Sequence, residues 1–184
     1  MGLTLIKALT ASSSSSLDFV DGTSDVVLDN TYNEYQFYFV NMHPATSNVY
    51  FAFQVNADGQ SGFNETITST AFRAYVREDG LGSALGYDTG NDQAEGTAYQ
   101  QILSTGTGIE NDESVSGVLT LYDPSSTTYV KHFVADGNGY DHGDYTVTSH
   151  NAGYINTTSA IDEISFKFSS GNIDEGAIYM YGVS

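Results

Sequence analysis

Tyr35–Gly59 reads YQFYFVNMHPATSNVYFAFQVNADG, and this stretch decides the fold class. Two runs, Tyr35–Val40 and Val49–Val55, are dense in Phe, Tyr and Val, the residues that suit a pleated, half-buried surface. In the second run Val49, Phe51, Phe53 and Val55 share one parity, and Tyr50, Ala52 and Gln54 take the other. That is the period-two repeat of a strand with one apolar face. Between the runs, Pro44 lacks a backbone donor and disfavours helical geometry at His43, so the ladder is expected to break there. The stretch predicts an antiparallel pair joined by the loop 42–48 and closed by the turn Asn56–Gly59.

Further along the chain the same pattern recurs. Leu3–Leu9, Leu17–Val20, Val26–Leu28, Phe63–Val76, Tyr99–Leu103, Val115–Tyr122, Thr127–Val134, Tyr145–Thr148, Ala152–Ile155, Ile161–Phe168 and Ala177–Val183 are strand candidates separated by Gly, Asn, Asp and Ser. Residues 77–97 show five glycines and no sustained period, and are expected to form a long loop that is functional or mobile. No helical period occurs. The expectation is an all-β protein, an antiparallel β-sandwich of jelly-roll-like type with about ten short strands. The 184 residues are read as residues 1–16, an N-terminal strand or docking arm with a Ser-rich connector, followed by one sandwich domain over 17–184.

Composition narrows the partners. Five Lys and Arg against 23 Asp and Glu give a formal net charge of −18. Nucleic-acid affinity comes largely from basic side chains on phosphates, so nucleic-acid binding is disfavoured. Anionic lipid surfaces are repelled for the same reason. The acidic surface has two readings: a solvated, self-repelling shell suited to high ionic strength, or a collection of carboxylates that gathers divalent cations. With no cysteine there is no disulfide, thiolate metal site or cysteine nucleophile. The start Met1–Thr10 is too short and interrupted for a signal peptide, and no apolar run is long enough for membrane insertion by a helix.

Motifs for chemistry are sparse. The four histidines, His43, His132, His142 and His150, have no metal-ligand spacing, and no nucleophile elbow or phosphate loop occurs. The best local cluster is Asp136, Asn138, Asp141 and Asp144, within DGNGYDHGD. Hard cations take several oxygen ligands from flexible loops, so this segment is a candidate calcium loop, although it lacks the EF-hand pattern. An Asx-rich surface turn is the competing reading. Tyr140 and Tyr145 beside it could stack on a sugar or a partner.

Four segments, LTLIKALTASSSSSLDF, NTYNEYQFYFVNMHPAT, DPSSTTYVKHF and AGYINTTSAIDEISFKFSSGNIDEGAIYMYGV, resemble a family of structural proteins from marine tailed bacteriophages, cyanophages among them. The resemblance spans nearly the whole chain. It implies a virion component without enzymatic activity, a capsid decoration or fibre-type subunit made in the host cytoplasm. The implied partners are other virion proteins and further copies in a homo-oligomer. The alternative is a carbohydrate-binding module that recognises a host-surface glycan through the 77–97 or 136–145 segment.

Overall fold

In the computed structural model, which describes residues 2–184, every regular element among the described residues is a β-strand. In chain order these are β1 (Leu3–Thr10), β2 (Leu17–Val20), β3 (Glu34–Pro44), β4 (Phe51–Ala57), β5 (Ile67–Arg77), β6 (Ser83–Tyr87), β7 (Gln100–Gln101), β8 (Val115–Tyr122), β9 (Lys131–Tyr140), β10 (Tyr145–Ile155), β11 (Ile161–Phe168) and β12 (Ile173–Val183). They form two wholly antiparallel sheets. The large sheet has eight strands in the order β1-β12-β3-β8-β9-β10-β5-β6, and the small one has four in the order β2-β11-β4-β7. The fold is thus the expected two-sheet all-β one, with twelve strands in place of about ten. Its jelly-roll likeness goes no further than two packed antiparallel sheets.

The predicted central hairpin is corrected. β3 lies in the large sheet between β12 and β8, whereas β4 lies in the small sheet between β11 and β7. The two strands face each other across the core, with the Phe39 and Phe51 rings 5.4 Å apart. Parity reports which side chains point inward, and two strands on opposing sheets carry the same parity signal as two strands of one hairpin. The chain changes sheet between two left-handed residues, Asn41 and Asn48, at φ of 51° and 59°. Nor does Pro44 break the ladder. It is the last residue of β3, opposite Ile173, whose peptide group bonds Ser14 in both directions and so asks nothing of the missing N–H.

The core is a slab of rings. Phe19, Phe37, Phe39, Phe51, Phe53, Phe133, Phe166 and Phe168 are all buried. Phe166 is at the centre, within 6.4 Å of the Phe19, Phe37, Phe51 and Phe53 rings. Toward β10 and β5 the small sheet gives way to the segment 88–108, and the interior turns polar. There Asn91 Nδ2 donates to Ser104 Oγ (3.0 Å) and Asn151 Oδ1 (3.1 Å), and Ser69 Oγ donates to Gln100 Oε1 (2.7 Å). Gln100 Nε2 returns to the Asn91 carbonyl (2.8 Å), which ties the buried amides into one network, although Asn91 Oδ1 stays unbonded within it. The segment expected to be a loop over 77–97 therefore contributes the end of β5, all of β6 and a buried polar packing layer.

β1 and β12, far apart in sequence, are tied side by side. Leu3–Thr10 pairs with β12 of its own sheet, and Gly2 and Ser184 exchange backbone bonds of 2.8 and 3.0 Å.

β11 carries one electrostatic misfit. Its register against β4 slips between Ile161 and Glu163, which sets Asp162 in a bulge with Oδ1 sealed from water and unbonded. Burial, and then the charges of Asp58 and Asp21, hold the Asp162 carboxyl above its ordinary range. A carboxyl whose pKa is raised in the fold contributes stability below its unfolded value of about 3.8, and that contribution is lost as pH rises through the folded value. Asp162→Asn is therefore expected to raise Tm at pH 7 and to lose that advantage in acid. Thermal melts of both proteins against pH check this, and an equal Tm at pH 7 would refute it.

Candidate functional site: the outer face of the large sheet

The two sheet faces that point away from the core differ. That of the small sheet is roofed by the chain itself: β4 is buried at every position, and Gln54 Nε2 donates to the carbonyls of Glu65, Thr97 and Ala98. Tyr99 lies across β11, bonding Ser165 through its hydroxyl with the Lys167 ammonium 4.1 Å from its ring centre. The large sheet has no such roof. Its register lines up one row across all eight strands, Ala8–Tyr179–Tyr38–Val118–Asp136–His150–Phe72–Tyr87. A second row runs Leu5–Tyr181–Gln36–Thr120–Val134–Ala152–Thr70.

The composition of this face sets it apart. Of the chain's 23 acidic residues, the registers set only Glu34, Asp136 and Glu175 on it among the described residues, with Asp174 beside Glu175 at the β12 end, and no Lys or Arg stands there. The remaining carboxylates lie in turns, in loops and on the small-sheet side. Exposed large hydrophobic residues show the opposite distribution. Eleven occur in the structure, and eight of them (Leu3, Leu5, Val40, Phe72, Val76, Leu85, Tyr87 and Tyr122) belong to this face. Protein surfaces that meet other proteins are enriched in aromatic residues and depleted of carboxylates at their centre, and a contiguous exposed apolar patch marks a contact site.

Local bonds stiffen the face. Tyr38 donates to Gln36 Oε1 (2.8 Å), Gln36 Nε2 donates to Glu34 Oε1 (2.7 Å), and the Tyr38 and Tyr181 rings meet edge-on at 5.5 Å. Burial, then the Glu34 charge, raises the Tyr122 hydroxyl above its ordinary pKa and keeps it neutral. Asp136 is bound to His150 Nδ1, and the His150 ring lies 5.0 Å from Phe72.

The candidate calcium residues are not presented as a loop. Asp136-Gly137-Asn138-Gly139-Tyr140 is the second half of β9, and only 141–144 form the turn into β10. Asn138 bonds Thr146 Oγ1 and the Val147 carbonyl across the strands. Asp141 is buried and holds the turn: its Oδ1 accepts from the Gly143 and Tyr145 amides, and its Oδ2 accepts from the Thr105 hydroxyl at 2.7 Å. Asp144, at φ 65°, accepts from the Tyr140 hydroxyl. The four residues thus divide between the outer face, the interior and the turn tip, and among the described residues no three His, Asp or Glu side chains converge on a metal position.

The glycines of that motif have another use. A Cβ at Gly137 would press on Ile102 at 3.1 Å, and one at Gly139 would press on Leu103 at 2.5 Å. They let Ile102 and Leu103 pack directly under β9.

The histidines are dispersed: His43 Nε2 lies 3.1 Å from the Glu110 carbonyl oxygen, His142 Nδ1 lies 3.0 Å from that of Gly106, and His132 packs on Tyr154. The sheet face itself escaped the sequence reading. Its signal was the set of polar-parity positions in β3, β8 and β12 filled by Tyr, Val and Thr instead of charged residues.

No protein-family model, curated protein or solved structure matches the chain.

Proposed function

We propose that the protein is a non-enzymatic structural component of a phage particle, a capsid-decoration or fibre-type subunit. It seats the outer face of the large sheet on a neighbouring virion protein and turns its acidic loops to solvent. One observation carries this reading: eight of the eleven exposed large hydrophobic residues share a face on which the registers set three of the 23 carboxylates. A chain of net charge −18 that kept this face bare would have no reason to clear it of charge. The resemblance to marine phage structural proteins supplies the context.

The test is the copy number of the chain in purified particles, measured by quantitative mass spectrometry against the major capsid protein. A number on the scale of the capsid lattice supports decoration, a few copies support a fibre, and absence refutes the proposal. Val40→Asp combined with Leu5→Asp changes two positions that are 42% and 52% exposed, so the fold is kept. Incorporation is expected to fall by about tenfold or more, the effect of losing roughly 1.4 kcal/mol of contact; unchanged incorporation would count against this face.

A second reading, a carbohydrate-binding module that recognises a host-surface glycan, is favoured by one observation. An open cleft of about 690 Å3 beside β1 and β12 brings Tyr179 together with Ser12, Ser13, Asn41, Asp174 and Glu175, an aromatic platform among polar groups. Glycan arrays probed with and without calcium separate the two readings.

A further inference from the structure

The four sheet edges are not equally guarded. β1, at one end of the large sheet, has Lys7 and a register slip between Leu5 and Lys7. β2 and β7, the edges of the small sheet, run for four and two residues. Bulges, lysines and short strands are the devices that stop an edge from pairing with another chain. β6, one residue longer than β2, has neither a bulge nor a lysine. Its five residues, Ser83-Ala84-Leu85-Gly86-Tyr87, are all exposed, with Leu85 at 76% and Tyr87 at 56%, and pair with β5 in unbroken register.

The direction of its peptide groups follows from the ladder. Arg77 N donates to the Gly82 carbonyl and Asp88 N to the Ala71 carbonyl. Residues of even number in this segment therefore turn their N–H and C=O groups toward β5, and Ser83, Leu85 and Tyr87 turn theirs outward. The same three side chains continue the charge-poor outer face, opposite Val76, Ala74 and Phe72.

We propose that β6 pairs antiparallel with β6 of a second copy of this chain, about a twofold axis through Leu85. In that register Leu85 meets Leu85 and Ser83 meets Tyr87, so every outward N–H finds a carbonyl and the two leucines pack at the centre.

Charge selects a second copy over other partners. Two bodies of net charge −18 can touch only where carboxylates are absent, and residues 80–87, GLGSALGY, hold no charged residue at all. The only two arginines of the chain, Arg73 and Arg77, stand on β5 immediately inside this edge and offset the local negative field. A basic partner would find nothing here to bind. The contact is small and its dimer reversible, and added salt strengthens it by screening the repulsion between the bodies. The inference does not depend on what the outer face carries, because purified protein alone tests it.

Sedimentation over a concentration series, in low and high salt, gives the answer. The protein is expected to pass from 19.8 kDa toward twice that mass, earlier in high salt. Leu85→Lys, at an exposed position that places a charge on the twofold axis, is expected to remain a monomer. Leu5→Lys, the same change at the opposite end of the sheet, is expected to dimerise normally. Amide exchange at Ser83, Leu85 and Tyr87 should slow with concentration. A protein that stays at 19.8 kDa up to its solubility limit, or a Leu85→Lys protein that still dimerises, overturns the proposal. So does loss of the dimer in Leu5→Lys, which would point to face-to-face stacking.

Discussion

Phe166→Ala is expected to remove about 3–5 kcal/mol of stability, the range for emptying a buried aromatic site. The ring is fully enclosed and touches the rings of Phe19, Phe37, Phe51 and Phe53, contributed by β2, β3 and β4. Those strands come from both sheets, so the cavity left by alanine cannot be closed by moving one side chain. It would take a shift of one sheet against the other, which the backbone ladders on both sides resist. A domain of this size has roughly 5–15 kcal/mol in total, so the variant should unfold well below the parent in urea or on heating. A loss of less than about 1 kcal/mol would mean that the two sheets do not meet at this residue.

Gly117→Val is expected to be comparably severe, through overpacking in place of a void. Gly117 of β8 lies opposite Gly137 of β9, beneath the Phe39 ring. A Cβ at that position would collide with the backbone carbonyl of Asp136 and lie 2.8 Å from the Phe39 ring. The carbonyl is fixed by its strand and the ring by the core, so neither can retreat cheaply. Gly86→Ala is the matched control: it too is a strand glycine, but nothing lies within 4 Å of its added methyl and its φ is not in the left-handed region. That variant should match the parent or gain up to about 1 kcal/mol from the less flexible unfolded chain. Equilibrium unfolding of the three proteins side by side checks the contrast, and a Gly117→Val protein as stable as Gly86→Ala would remove the packing account of the glycine pair.

That glycine pair also shows what the sequence conceals. Strand glycines that admit a neighbouring backbone and turn glycines that supply positive φ are written with the same letter. DGNGYDHGD thus reads as a loop, although its first half is strand. Val115–Tyr122 and Ile161–Phe168 were legible to the residue because Val115, Leu119 and Leu121, and Ile164, Phe166 and Phe168, share one parity within runs bounded by turn residues. Tyr145–Ile155 looked like two strands because its inward positions include Ser149 and Asn151, which are buried in the polar layer and break the apolar count. The pairing of β3 and β4 was misread for a different reason: alternation tells which way a side chain points, and partners are chosen by connections that a local window does not contain. The outer face emerges only when the eight strands are laid side by side in register, since no single strand shows that the face as a whole is poor in carboxylates.

The pairing of β1 with β12 has a consequence in time. β1 and β12 are neighbours although far apart in sequence, so the contact that completes the large sheet joins Leu3 to Val183. Ordering so long a loop costs entropy before any bond rewards it, and folds dominated by such distant contacts are slow to form. During synthesis β3 has β8 to pair with on one side, but its other side stays bare until β12 has been made. For that interval the nascent protein exposes a second unpaired strand side in addition to the outer side of β6.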